Sequence, residues 1–315
     1  MKTNKPSKKL SKVIVMMLCT ALAVIALSIT ASADMGPKPS VRIIFENMGD
    51  ELCYGTLLSK NPSTGPQSVW DGIDEHARYK EGDHWYGDFD YNIWKAFVEY
   101  EDSDGYYFLQ EGWTVSDTKE IAWTYYPPYS FKILLYYPET ETFVSSGIYE
   151  KYAFDTYYTV NMDGVDIGSV DYNEDMSSNE RINAHRSYMF GQELLSLAVR
   201  IIITIIIEMA VALLFGFRQK KQLMVLASIN IITQIILNVL LNVINYNSGP
   251  LAFVLFYVLF EIIVFALEAI LYCTILKKVS EKPKKNWYYV LYAFVANALS
   301  FGAGFVIARI LPGIF

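Results

Sequence analysis

Apolar residues are packed into long unbroken runs in the last third of the chain and scattered in short runs before it. Four segments, 194–217, 222–245, 251–276 and 287–311, are each long and apolar enough to read as a membrane-spanning helix. The connections between them are short, which predicts antiparallel neighbours and a four-helix antiparallel transmembrane bundle. Each run is interrupted near its middle by a polar residue: Glu208, Asn230, Glu268 and Asn297.

Between residues 34 and 170 the pattern changes to short runs rich in Tyr, Phe, Ile and Val, separated by turn residues. Val41–Glu46 and Cys53–Ser59 flank Met48-Gly49-Asp50, and Trp94–Tyr100 and Tyr106–Gln110 flank Asp102-Ser103-Asp104-Gly105. Phe131–Tyr137 follows the chain-breaking Pro127-Pro128, and Asp163-Gly164 after Tyr157–Met162 reads as a hairpin signal. This spacing predicts an all-β domain, immunoglobulin-like or a related two-sheet sandwich. Residues 171–193 are polar without a sustained period and read as a linker.

The first 33 residues have the organisation of a secretory signal. Five lysines (Lys2, Lys5, Lys8, Lys9, Lys12) precede the apolar run Val13–Ile29, and Ala31-Ser32-Ala33 offers a small-residue cleavage site. Left uncleaved, the same segment would be a fifth helix. The formal charge of −7 conceals a segregation: residues 34–190 carry 28 acidic against 11 basic side chains, a net of −17. That excludes nucleic acid as a partner for this segment and suits solubility, cations or basic ligands. The loops at 218–221 and 277–286 are basic and the loop 245–250 is uncharged, so the positive-inside rule puts the first two in the cytoplasm and residues 34–190 outside. The expected location is therefore the plasma membrane, multi-pass. Cys53 and Cys273 would lie on opposite sides of the bilayer, which argues against a disulfide scaffold.

The intramembrane polar residues are the leading candidates for chemistry. At ~1.5 Å per residue, Glu208, Asn230, Glu268 and Asn297 fall at one level, about 12–15 Å from the inner ends of their helices. Arg200, Gln234, Asn238 and Glu261 form a second layer nearer the outside, with Arg200 as a possible counter-charge for Glu261. An ionisable group in a bilayer costs at least ~2.5–3.5 kcal/mol, so its default reading is a site facing the bundle interior. Two carboxyl groups with amide oxygens make a hard, all-oxygen environment suited to H⁺, Na⁺, Ca²⁺ or Mg²⁺. No His or Cys lies at that level to favour zinc. The competing reading is that the Asn/Gln stripe joins helices by hydrogen bonds and does nothing more.

The outer region offers weaker candidates. Asp71, Asp74, Glu75, His76, Asp83, His84, Asp88 and Asp90 crowd one acidic stretch with Trp85 and Tyr86, but match no metal-ligand spacing. Asp171-x-Asn173-x-Asp175 opens like a calcium loop but has Met176 in place of the glycine and Ile182 at the twelfth position. Five of the six tryptophans belong to this region and read either as core or as stacking surfaces for sugar rings. No nucleophile elbow, zincin motif or phosphate-cradling loop is present.

The stretch Ala33-Asp34-Met35-Gly36-Pro37-Lys38-Pro39-Ser40-Val41, with Thr56-Leu57-Leu58-Ser59, Ser63-Thr64-Gly65-Pro66 and Asn230-x-x-Thr233-Gln234-x-x-Leu237-Asn238, resembles uncharacterised Gram-positive bacterial membrane proteins with a secreted ADMGPKPS-type start. The resemblance implies a cell-envelope location and supplies no functional residues. The expectation is a sensor, binding module or transport-associated component with a polar intramembrane cation or proton site. It would work as a homo-oligomer or with a membrane partner subunit, its outer domain free to bind cell wall or peptide. The alternatives are an intramembrane acid–base enzyme, or a structural anchor displaying the outer domain.

Overall fold

The computed structural model describes residues 37–79, 91–168 and 180–310. The signal segment, the Asp83–Asp90 half of the acidic stretch and the Asp171–Asp175 loop lie outside them.

Residues 40–186 form a mixed α/β region rather than the all-β domain that alternation predicts. The main strands are β1 (Ser40–Glu46), β2 (Tyr54–Ser59), β3 (Glu120–Trp123), β4 (Ser130–Tyr137), β5 (Thr142–Ser146), β6 (Asp155–Asn161), β7 (Glu180–Ile182) and β8 (Ala184–Arg186). One sheet has the order β8-β6-β1-β3; the other runs β7-β5-β4-β2 and ends on the short strand Trp113–Thr114. β1 pairs with β6 in parallel, Ser40 opposite Asp155 through Glu46 opposite Asn161, and β5 pairs with β7 in parallel. Those two parallel ladders rule out an immunoglobulin-type antiparallel sandwich. β7 and β8 come from the stretch read as linker, and each adds to the edge of one sheet.

The two sheets face each other across Val41, Ile43, Tyr158 and Val160 on one side and Leu57, Phe131, Ile133 and Leu135 on the other. Each such side chain contributes roughly 1.5–3 kcal/mol when fully buried. β4 reads as a continuous apolar run because both its faces are covered. Its odd residues enter the inter-sheet core, and Leu134 and Tyr136 pack under helix α1 (Tyr91–Glu99). The sequence pattern misreads α1 as a strand. Ile93, Trp94 and Phe97 recur with helical spacing and form its buried face. Lys132 also points to the α1 side, 1% exposed, and donates to Asp102 at 3.0 Å and Asp104 at 2.6 Å. The Lys132 ammonium holds the Asp104 carboxyl below the usual carboxylate range.

The helical region also departs from expectation. Helix α2 is Phe190–Leu214. The segments read as the second and third spans are one element, α3 (Lys220–Leu271), which continues through a π-helical turn, Tyr272–Leu276, to Val279. Helix α4 is Asn286–Ile310. Among the described residues two helices are long and apolar enough to cross a membrane, Phe190–Leu214 and the 60-residue run Lys220–Val279, each with a mean hydropathy of 2.5. The expected four-helix bundle is thus not what the chain forms. The uncharged loop expected at 245–250 is helical too, except at Gly249, where φ 80° and ψ −179° turn the chain before Pro250. The two limbs of α3 fold back on one another. Gln222 donates to Ser280 at 2.9 Å, Tyr272 to Asn230 at 2.6 Å and Thr233 to Glu268 at 2.7 Å, each pair symmetric about the bend.

The bend docks on the sheet region. The Phe154 N–H donates to the Tyr246 carbonyl at 2.8 Å. The Tyr246 ring lies 5.0 Å from Tyr188 and 6.4 Å from Tyr152. A Cβ at Gly249 would come within 2.6 Å of the Phe154 ring, so both its positive φ and its missing side chain are required there.

Candidate functional site

Helix polarity is inverted relative to a soluble protein. On α2, Ile202 and Ile206 are more than half exposed, whereas Arg200 and Glu208 are buried. Polar residues recurring four apart face the neighbouring helices, and the apolar flanks face outward. An exposed apolar surface of this extent marks contact with lipid or a partner.

Glu268 is the hub, 0% exposed. Its Oε1 accepts from Thr233 Oγ1 at 2.7 Å; its Oε2 accepts from Asn297 Nδ2 at 2.7 Å and from the Tyr272 hydroxyl at 3.3 Å. The same hydroxyl donates to Asn230 Oδ1 at 2.6 Å. Both limbs of α3 and helix α4 therefore converge on one carboxyl group. Glu208, also 0% exposed, joins from α2: Ser300 Oγ donates to its Oε1 at 3.4 Å and to the Asn297 carbonyl at 3.1 Å. The Tyr292 hydroxyl donates to the Glu208 backbone carbonyl at 3.2 Å. Glu268 is close enough to act electrostatically on both Glu208 and Glu261, and Glu261 on Glu208. All four residues of the predicted layer thus share one buried network.

Three groups of that network have no hydrogen-bond partner: Glu208 Oε2, Asn297 Oδ1 and Asn230 Nδ2. A buried polar group left unmade costs about 1–3 kcal/mol, so these three atoms are the places where the network is incomplete. The free acceptors are both oxygens, which suits a proton donor or a hard cation. Among the described residues no group of three His, Cys, Asp or Glu side chains is placed to hold a metal ion, so a bound cation would rely on two carboxyl groups and amide oxygens.

The second layer is less unified. Asn238 Nδ2 donates to the Gln234 carbonyl at 2.8 Å and to Gln234 Oε1 at 3.3 Å, so these two satisfy one another within a limb. Arg200 donates to Asn242 at 3.3 Å and lies 5.7 Å from the Phe253 ring. Tyr257 is close enough to feel both Glu261 and Arg200.

Sequence reasoning missed Thr233, Tyr272, Tyr292 and Ser300. The signal is present in the spacing: Thr233 lies three residues after Asn230, Tyr272 four after Glu268 and Ser300 three after Asn297, each on the same helix face. The π turn begins at Tyr272, and such irregularities concentrate at functional positions.

In the sheet region His76 Nδ1 lies 2.7 Å from Asp71 Oδ2, at the surface, and His76 holds that carboxyl below its usual range. Cys53 and Cys273 are free thiols. An open groove of about 550 Å³ near the end of α3 is lined by Cys273, Thr274, Lys277, Lys278, Ser280 and Pro283. No protein-family model, curated protein or solved structure matches this chain.

Proposed function

We propose that the protein is a multi-pass plasma-membrane component with residues 34–190 outside the cytoplasm. In this reading it binds a proton or a hard cation among Glu208, Asn230, Glu268 and Asn297. It serves as a sensor, a binding module or a transport-associated subunit. The observation that carries the reading is the saturation of Glu268 by three donors from separate helical segments, beside a second buried carboxyl group whose Oε2 is unmet. Helix-packing glue alone would be expected to pair its polar atoms; this cluster leaves three unpaired at its centre. Few helices surround the site, so a second copy or a membrane partner subunit completes the path of any transported ion. The outer region's acidic surface suits a basic peptide or a cationic wall component.

Complete burial weighs against the acid–base enzyme. Neither Glu208 nor Glu268 exposes any surface to an incoming lipid or peptide, and a general base must reach its substrate's proton. The test is a titration of the purified protein with Na⁺, Ca²⁺ and H⁺, read as thermal stability, alongside Glu208→Gln and Glu268→Gln. Stabilisation by one of these ions, lost in both variants, supports the site. An identical response in wild type and both variants removes it.

A further inference from the structure

The end of the sheet region that meets the α3 bend carries a cluster of exposed aromatic residues. Tyr126 is 51% exposed and Tyr129 65%, with Tyr125 beside them at 36%. Backbone pairing fixes where they lie. Phe154 bonds the bend through the Tyr246 carbonyl, and its own carbonyl accepts from Ser40 at the start of β1. The next residue, Val41, is opposite Trp123, the last residue of β3, and the chain then enters the Tyr125–Tyr129 loop. From the other side, Lys151 N–H donates to the Tyr129 carbonyl at 2.7 Å. Lys151 is three residues from Phe154, a span of at most about 11 Å. Both routes put the Tyr125–Tyr129 loop at the end of the sheet region from which Phe154 bonds the bend.

The loop is built to hold these rings out. Pro127-Pro128 restricts its backbone, and Tyr126 adopts a left-handed φ of 51°. Thr64 Oγ1 donates to the Tyr126 carbonyl at 2.8 Å, and Trp123 Nε1 to the Tyr125 carbonyl at 2.9 Å. Lys38 Nζ sits 5.4 Å over the Tyr125 ring, supplying a cation at the same edge. Tyrosine with neighbouring lysine is the combination that partitions to the headgroup zone, where one end of the ring meets hydrocarbon and the other water.

We infer that Tyr125, Tyr126 and Tyr129 form a platform that rests in the headgroup region of the outer leaflet and fixes the tilt of the sheet region on the bilayer. The inference rests on the membrane reading given above. The occupant is the lipid interface of the same membrane that the helices enter, because the platform lies at the end of the sheet region whose Phe154 and Tyr152 meet the α3 bend.

The test is a nitroxide label on the full-length protein in liposomes, in a background with Cys19→Ser and Cys273→Ser. Labels go at Tyr129→Cys, at Asp163→Cys in the turn after β6, and at Ile232→Cys on the exposed flank of α3. Collision with oxygen reports lipid; collision with a water-soluble nickel chelate reports solvent. The expected result is lipid-like relaxation at 232, water-like relaxation at 163 and an interfacial value at 129. A lipid-like 232 with a fully aqueous 129 overturns the platform and leaves the membrane reading standing. An aqueous 232 removes both. An aqueous 129 that becomes immobilised only when peptidoglycan fragments are added assigns the tyrosines to a wall polymer and also overturns the inference.

Discussion

Gly249→Ala would report directly on the joint between the sheet region and the helices. Two penalties add. The backbone sits at φ 80° and ψ −179°, a region that is nearly glycine-only and costs an L-residue about 1–3 kcal/mol. The new Cβ would also lie 2.6 Å from Phe154 Cε1 and Cζ. These are the far end of a half-buried ring, so the ring swings aside, at a cost near the low end of overpacking, about 1 kcal/mol. The expected loss is ~2–4 kcal/mol of stability, with no change in the carboxyl cluster itself. The assay is tryptophan-monitored unfolding in mixed micelles, in a cycle with Phe154→Ala. In the Phe154→Ala background only the backbone penalty survives, so Gly249→Ala should cost about 1 kcal/mol less there. A Gly249→Ala variant within ~0.5 kcal/mol of wild type, the usual range for inconsequential substitutions, would refute the account of the bend. So would a penalty that ignores the presence of Phe154.

Three further outcomes follow from the same geometry. Thr233→Val removes the 2.7 Å donor to Glu268 without changing shape, and should cost about 1–3 kcal/mol in thermal or chemical unfolding. Lys132→Met leaves Asp102 buried at 2% exposure without its cation, and should cost about 3–5 kcal/mol, whereas Lys95→Met, at an exposed helical pair, should cost under about 0.5 kcal/mol. Burial pushes the Cys53 thiol up from 9.0 to about 12, so the unfolded chain loses that proton first as pH rises; stability should fall between pH 9 and 12, with a slope reduced by one proton in Cys53→Ala. The same thiol should resist alkylation at pH 8.5 until denaturant is added, which mass spectrometry of the labelled peptide checks.

How much of this was readable beforehand depended on whether a signal was local. β1, β2 and β4 are visible as runs of branched and aromatic residues with edges close to those observed. Tyr91–Glu99 defeats the same reading, because a nine-residue helix with apolar residues at 93, 94 and 97 looks like a short strand when its period is not counted. Parallel pairing of β1 with β6 joins residues more than a hundred positions apart, and no local pattern encodes it. Asn245–Pro250 carries every mark of a loop, yet Tyr246, Asn247 and Ser248 stay helical and the reversal is confined to Gly249. Asn247 Nδ2 contributes to that by donating to the Val243 carbonyl one turn back, at 2.7 Å. The polar layer was legible because a carboxyl group in an apolar run is conspicuous. Its partners Tyr272 and Ser300 were not, since tyrosine and serine are ordinary in such runs and only their i+4 and i+3 offsets single them out. For Arg200, Asn242 on the facing limb of α3 is a hydrogen-bond partner that charge matching along the sequence does not single out.

In the function proposed, Glu208 and Glu268 act together on a proton or cation inside the membrane. Difference infrared spectroscopy of the carboxyl stretch, taken as Na⁺ or Ca²⁺ is added or the pH is stepped, reads those groups directly. The account predicts a carboxyl band that responds to at least one of these ions and is lost in both Glu208→Gln and Glu268→Gln. Spectra in which no ion-dependent band is removed by either substitution would contradict it.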